Sequence, residues 1–228
     1  MIFATGDLHG KFDRIEDFCN RFSVEGTMIL LGDVGLNYYL DKGKKDIKNK
    51  QRLNILPLTF ICVHGNHEER PENLDTYELL TIDKKGKFFY EMEFPNILFM
   101  IDGESYNLEN KSFLCLGGAY SVDKYYRLQR GWNWFESEQM NEDVKQNIRM
   151  SRFGNDFDVI LSHTCPQKYV PTETFLMQVD QSTVDHSMEQ FLDECERNIN
   201  YSQWYCGHFH TDKSDGNIKF FLSTRTHL

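Results

Sequence analysis

The sequence predicts an α/β protein in which two packed sheets are flanked by helices. Two observations carry that expectation. In the first third, short apolar runs alternate with amphipathic or polar stretches, the pattern of βαβ units. From residue 87 to 118 the helical spacing disappears and strand-like runs follow one another, which suggests an antiparallel or mixed sheet. The chain has 228 residues, enough for a well-buried core. No Pro/Gly/Ser-rich linker, repeat or low-complexity tract interrupts it, so residues 1–228 are read as a single domain.

Residues 2–6 read as a strand. Residues 11–22 read as a helix, with Phe12, Ile15, Phe18, Cys19 and Phe22 on one face. Met28 to Leu31 is a second strand, 42–54 a lysine-rich helix with its lysines on a solvated face, and Leu58 to Val63 a third strand. Residues 70–85 are polar with one short helix. Phe88 to Tyr90, Ile97 to Ile101, Ser105 to Leu108 and Ser112 to Leu116 follow as strands separated by short turns. Residues 119–135 are aromatic and basic and read as a surface loop. A helix over 136–150, a strand at Val159 to Leu161, a long connection over 164–185, a helix over 186–198 and strands at Trp204 to Cys206 and Ile218 to Leu222 complete the chain.

Composition excludes some functions. A formal net charge of −10 argues against a broad footprint on duplex nucleic acid, though not against a small phosphorylated substrate. No stretch approaches the roughly 18–20 apolar residues of a membrane span. The N-terminal residues lack a basic, then apolar, targeting pattern. Six cysteines occur without a CxxC pair, and Cys62, Cys115 and Cys206 lie in apolar runs as small buried hydrophobes. A reducing cytoplasm is the expected location.

Five segments share one feature: an apolar strand ends and a Gly, Asp, His or Asn cluster follows at once, where α/β folds place their sites. They are Gly6-Asp7-Leu8-His9-Gly10, Gly32-Asp33, Gly65-Asn66-His67-Glu68, Ser162-His163 and Gly207-His208-Phe209-His210. In an extended chain, residues i and i+2 point the same way, so Asp7 and His9 are expected to face one metal, and His208 and His210 to share one side. Asp33 offers two oxygens, Asn66 a neutral carbonyl oxygen, and His67 an acid–base group. Of eight histidines, five fall in these segments, which favours metal sites over scattered core histidines. Mixed nitrogen and oxygen donors suit Mn, Fe, Zn or Ni better than Ca or Mg. His64 alternates away from this face and is expected to be packed. Glu68 is expected to hydrogen-bond locally, and His186 to sit at a helix start.

This ordered set resembles the calcineurin-like metallophosphoesterases, whose pattern is D-x-H, G-D, G-N-H-[DE], H and G-H-x-H. The match runs from Asp7 to His210, and GDLHG and GNHE are closest to the serine/threonine phosphatase and diadenosine-tetraphosphatase branch. The resemblance implies a four-layer αββα sandwich with two mixed sheets. It also implies two divalent metal ions, with manganese expected and Fe, Zn or Ni as alternatives. One would take Asp7, His9 and His210, the other Asn66, His163 and His208, with Asp33 bridging them. A metal-bridging hydroxide would attack phosphorus in line, and His67 would protonate the leaving oxygen.

The second motif departs from the protein-phosphatase pattern G-D-x-x-D-R-G. Leu36 stands where an Asp would orient the catalytic His, and Asn37 where an Arg would grip phosphate. Asn37, Arg70, Tyr120, Lys124 and Arg127 are the candidate substrate contacts: Arg suits phosphate by its bidentate fork and Tyr can stack on a base. The expected activity is hydrolysis of a phosphomonoester or phosphodiester of a small molecule or nucleotide. Serine/threonine protein phosphatase, nuclease and non-catalytic scaffold stand as alternatives, and neither a membrane nor stable duplex binding is expected.

Overall fold

The structure is a computed structural model that describes residues 1–40, 44–175, 177, 179–223 and 225–226. In chain order the elements of the first half are β1 (Ile2–Thr5), α1 (Asp13–Phe22), β2 (Gly26–Leu31), α2 (Lys45–Asn54), β3 (Leu58–Val63), β4 (Glu78–Ile82), β5 (Gly86–Tyr90) and β6 (Ile97–Met100). The second half adds β7 (Ser105–Leu108), β8 (Lys111–Leu116), α3 (Lys124–Gln129), α4 (Glu142–Arg152), β9 (Asp156–Ser162), α5 (Ser187–Asn198), β10 (Asn200–Cys206), β11 (Lys213–Asp215), β12 (Ile218–Phe220) and β13 (Arg225–Thr226).

Among the described residues these strands form two mixed sheets. One has seven strands in the order β13-β1-β2-β3-β6-β5-β4, and the other six in the order β11-β12-β10-β9-β8-β7. Strands β1, β2, β3 and β6 are mutually parallel, as are β8, β9, β10 and β12; the antiparallel pairs lie toward the edges.

The period-two alternation of each strand sets the layers. Ile2, Ala4, Ile29, Leu31, Ile61 and Val63 point inward and meet Phe113, Cys115, Val159, Leu161 and Tyr205 of the other sheet. Their neighbours Phe3, Met28, Leu30, Phe60 and Cys62 point outward against Phe12, Ile15 and Cys19 of the α1 region and Leu53 of α2. On the opposite outer face Leu114, Leu116, Ile160, Trp204 and Cys206 pack against Ile148 of α4 and Met188, Phe191, Leu192 and Cys195 of α5. The result is the four-layer αββα sandwich, and strands hydrophobic on both faces are what this layering demands.

Several local expectations change. Residues 78–82 form an edge strand, and the helical part of 70–85 shrinks to one 3-10 turn at Pro71–Asn73. Helix α3 interrupts the loop expected over 119–135. The helix expected over 136–150 begins later, because the Asn141 side chain caps it by accepting from the Val144 N–H at 2.9 Å. Phe22, placed on the apolar face of α1, is 64% exposed. Lys50 leaves the solvated face of α2: it is buried, with its Nζ 2.5 Å from Glu91 Oε2. Residues 42 and 43 of the predicted second helix lie outside the described residues. No helix among the described residues is long and apolar enough to cross a membrane.

Candidate metal centre

The five clusters follow the carboxyl ends of β1, β2, β3, β9 and β10, all within the parallel parts of the two sheets. The glycines make this convergence possible. Gly32 has φ +85°, and a Cβ there would enter the His163 ring. At Gly65 a Cβ would collide with the Asp33 backbone. Backbone bonds tie the loops together: His9 N–H donates to Asp33 O at 2.7 Å, Gly10 N–H to Val34 O at 2.9 Å and Gly207 N–H to His163 O at 2.9 Å.

Five of the candidate ligands sit in the left-handed region: Asp7 (φ 53°), His9 (47°), Asp33 (52°), His208 (67°) and His210 (51°). This strain corrects the extended-chain expectation. His208 and His210 do not share one side. The His208 ring lies edge-on to His163, with centroids 4.9 Å apart, whereas His210 Nε2 is 3.3 Å from His9 Nε2. Turns, not pleated strand, aim these side chains.

Three overlapping triads result, each with ligand atoms within 4.8 Å of one another: Asp7, His9 and His210; His9, Asp33 and His67; Asp7, Asp33 and His163. Asp33 lies at their centre, with Oδ2 3.7 Å from His9 Nε2 and 4.0 Å from His67 Nε2, and Oδ1 3.5 Å from His163 Nε2. The His67 backbone N–H donates to Asp33 Oδ1 at 2.8 Å, and that of His208 to Asp7 Oδ1 at 3.0 Å. Asn66 joins through its side-chain oxygen, 2.8 Å from His163 Nε2.

The orientation of these donors is fixed from behind. His163 Nδ1 bonds the Leu31 carbonyl at 2.7 Å, which turns Nε2 toward the cluster. Asn66 Nδ2 donates to Ser121 Oγ at 2.8 Å, so Oδ1 faces inward. Ser121 is held in turn by Arg127 Nη1 at 3.1 Å.

The electrostatics are those of a cation site. Burial raises the Asp7 carboxyl to about 7. Burial opposes ionisation of Asp33 as well, but His163, His67 and His9 outweigh it and hold that carboxyl well below its usual range. Burial lowers His9, His67, His208 and His210 below the ordinary imidazole value. His163 moves the other way: burial is overcome by Asp33 and Asp7, and it rises to about 9. Asp7 Oδ2 is buried with no hydrogen-bond partner among the described residues. His9 Nε2 and His210 Nε2 stand 3.3 Å apart, within reach of one shared proton or cation. The residues present therefore fit divalent ions.

The candidate substrate contacts divide. Tyr120 lines the pocket beside the cluster. Arg70 is turned away, its Nη1 2.6 Å from Asp102 Oδ2 and its Nε donating to Ser137 O at 2.8 Å. Arg127 is 1% exposed and serves the Ser121 loop. Asn37 is buried, accepting from Tyr77 OH at 3.0 Å, and Lys124 Nζ lies 3.8 Å over the Trp134 ring. His64 is packed as expected, and Glu68 Oε1 accepts from the Gly65 N–H at 3.1 Å. Sequence reasoning missed Asp123, whose Oδ1 is 3.9 Å from His67 Nε2. The available signal was the Gly117-Gly118 pair directly after β8, a sixth apolar strand end followed by glycine.

A His, Asp and Asn cluster at the ends of parallel strands in an αββα sandwich is a centre that could hold metal ions. The family model for calcineurin-like phosphoesterases matches residues 1–212, and the chain belongs to that family. No curated protein matches the sequence.

Proposed function

We propose that this chain is a dinuclear-metal-dependent phosphoesterase that hydrolyses a phosphomonoester or phosphodiester of a small molecule or nucleotide. The observation that carries this reading is the linkage of the three triads, two of them through Asp33 and each sharing Asp7, His9 or Asp33 with the next. Asp7, His9 and His210 would hold one ion and Asn66, His163 and His208 the other, with Asp33 between them. Bound there, the ions supply Lewis acidity toward phosphoryl oxygens and lower the pKa of coordinated water. The mixed donor set favours manganese, with Fe, Zn or Ni as alternatives.

The protein's own contribution is preorganisation and proton transfer. Leu31 and Ser121 lock His163 and Asn66, and the backbone N–H groups of His67 and His208 lock Asp33 and Asp7. His67 lines the pocket and stands between two carboxylates, Asp33 and Asp123. On this reading it protonates the leaving oxygen, a role worth about 10²–10⁴-fold in such reactions.

The protein-phosphatase alternative loses support from the second motif: Leu36 is fully buried and Asn37 is held inside by Tyr77, so neither meets a substrate. A reducing compartment accords with six buried free cysteines. The test is a metal count together with rates on p-nitrophenyl phosphate, bis-p-nitrophenyl phosphate, a cyclic nucleotide, diadenosine tetraphosphate and a phosphopeptide, with Asp33→Asn as control. About two ions per chain and a substrate preference abolished in the control are expected. Two bound ions with no hydrolysis of any of these would overturn the enzymatic reading.

A further inference from the structure

Beside the cluster the surface sinks into a pocket of about 420 Å³, within the size range of small-ligand sites. One wall is the metal-ligand cluster itself, through Asp33, Asn66, His67, His208 and His210. The others are largely apolar: Val122 from the loop after β8, Val170, Phe175, Val179 and Val184 from the long connection before α5, and Phe209 between two candidate ligands. Among the described residues no lysine or arginine lines it. Without such a cation, a phosphoryl group gains more at the cluster than in the rest of the pocket. The pocket suits the organic part of the substrate.

One polar group in this wall is out of balance. Glu189, in the first turn of α5, is 5% exposed and lines the pocket. Its Oε1 accepts from Thr164 Oγ1 at 2.8 Å, but its Oε2 is buried with no hydrogen-bond partner among the described residues. A buried carboxylate oxygen is costly without a donor. A purely apolar ring or chain would leave that oxygen unmet. A flat ring with apolar faces and an N–H on its edge satisfies both the walls and that oxygen.

We propose that this pocket binds an amino-bearing nucleobase, its faces against Val170, Phe175, Val184 and Phe209 and its N–H donating to Glu189 Oε2. The proposal rests on the phosphoesterase reading only for where the phosphoryl group lies; base binding itself needs no metal.

The experiment therefore uses metal-free protein, prepared with a chelator, and measures binding of adenosine, purine riboside, phenol and choline by isothermal titration calorimetry. Adenosine is expected to bind at least about tenfold more tightly than purine riboside, which lacks the amino group, as one hydrogen bond to a charged acceptor supplies. Glu189→Leu erases that difference. Should that variant fail to fold, Val184→Trp, which fills the pocket from its half-exposed rim, abolishes adenosine binding while leaving the metal content unchanged. Equal binding of adenosine and purine riboside, binding of phenol or choline alone, or undiminished adenosine binding to Val184→Trp overturns the proposal. Adenosine binding together with no phosphoester hydrolysis by the metal-loaded protein would sustain the pocket and reject the hydrolase reading instead.

Discussion

Asp123 Oδ1 lies 3.9 Å from His67 Nε2, although the two residues arrive on loops from different sheets. The Asp123 side chain is 39% exposed and also faces Arg127 Nη1 at 3.7 Å. On the proposed function it would take the role left open at the second motif, where Leu36 cannot favour a protonated imidazole. Asp123→Ala should keep the metals and lower kcat about tenfold, a fraction of what a general acid supplies. The loss should grow as the leaving group becomes more basic, because His67 then matters more. Rates across a series of aryl phosphates check this; an unchanged dependence on leaving-group pKa would separate Asp123 from proton transfer.

On the proposed dinuclear reading, His163 would make metal binding a proton-releasing event. In the metal-free protein its pKa stands at about 9, so near neutral pH it is an imidazolium, and a metal must displace the Nε2 proton. Asp7, raised to about 7, gives up a further fraction. Both groups bind more protons as pH falls, so apparent metal affinity must fall as pH is lowered through 9 and more steeply below 7. Titration calorimetry in two buffers of different ionisation enthalpy should report about one proton or more released per chain. Buffer-independent heats would mean that His163 is neutral before the metal arrives.

Arg70 separates a structural cation from a substrate cation. Its side chain is 11% exposed and that of its partner Asp102 4%, and Asp102 also accepts from the Gly117 N–H at 2.6 Å. Removing one member of a buried pair strands the other, typically at a cost of about 3–5 kcal/mol. Arg70→Ala should lower Tm sharply and leave KM nearly unchanged in whatever fraction stays folded. A raised KM at unchanged Tm would return Arg70 to the role of a phosphate clamp.

Much of the site was legible in sequence because its chemistry is carried by residue type at strand ends. Asp7, His9, Asp33, Asn66, His163, His208 and His210 all reach the centre. How they reach it was not legible. The alternation that sorts Ile29 and Leu31 from Met28 and Leu30 stops at Gly32, and beyond it left-handed turns set each direction. Arg70 and Arg127 read as exposed cations because sequence shows charge but not the buried carboxylate or carbonyl that receives it. The Glu189 pocket was hidden for a related reason: it draws on residues spread from Asp33 to His210, and half of those outside the metal cluster are ordinary apolar side chains.

Two glycines with similar backbones measure how much of the centre depends on close approach. Gly32 has φ +85° and Gly154 φ +82°, so alanine pays the same left-handed strain at either, about 1–2 kcal/mol. Around Gly154 an added Cβ meets nothing within 4 Å, whereas at Gly32 it enters the His163 ring. The difference between Gly32→Ala and Gly154→Ala therefore isolates the collision. Gly154→Ala should lower stability by that strain alone and keep full metal content. Gly32→Ala should push His163 off the Leu31 carbonyl and lose metal, with a stability loss well beyond that of its control. Metal content by atomic emission, set beside urea unfolding of both variants, decides it. If Gly32→Ala retained both ions, His163 would not be a ligand, and the second metal would have to rest on Asn66, His208 and Asp33.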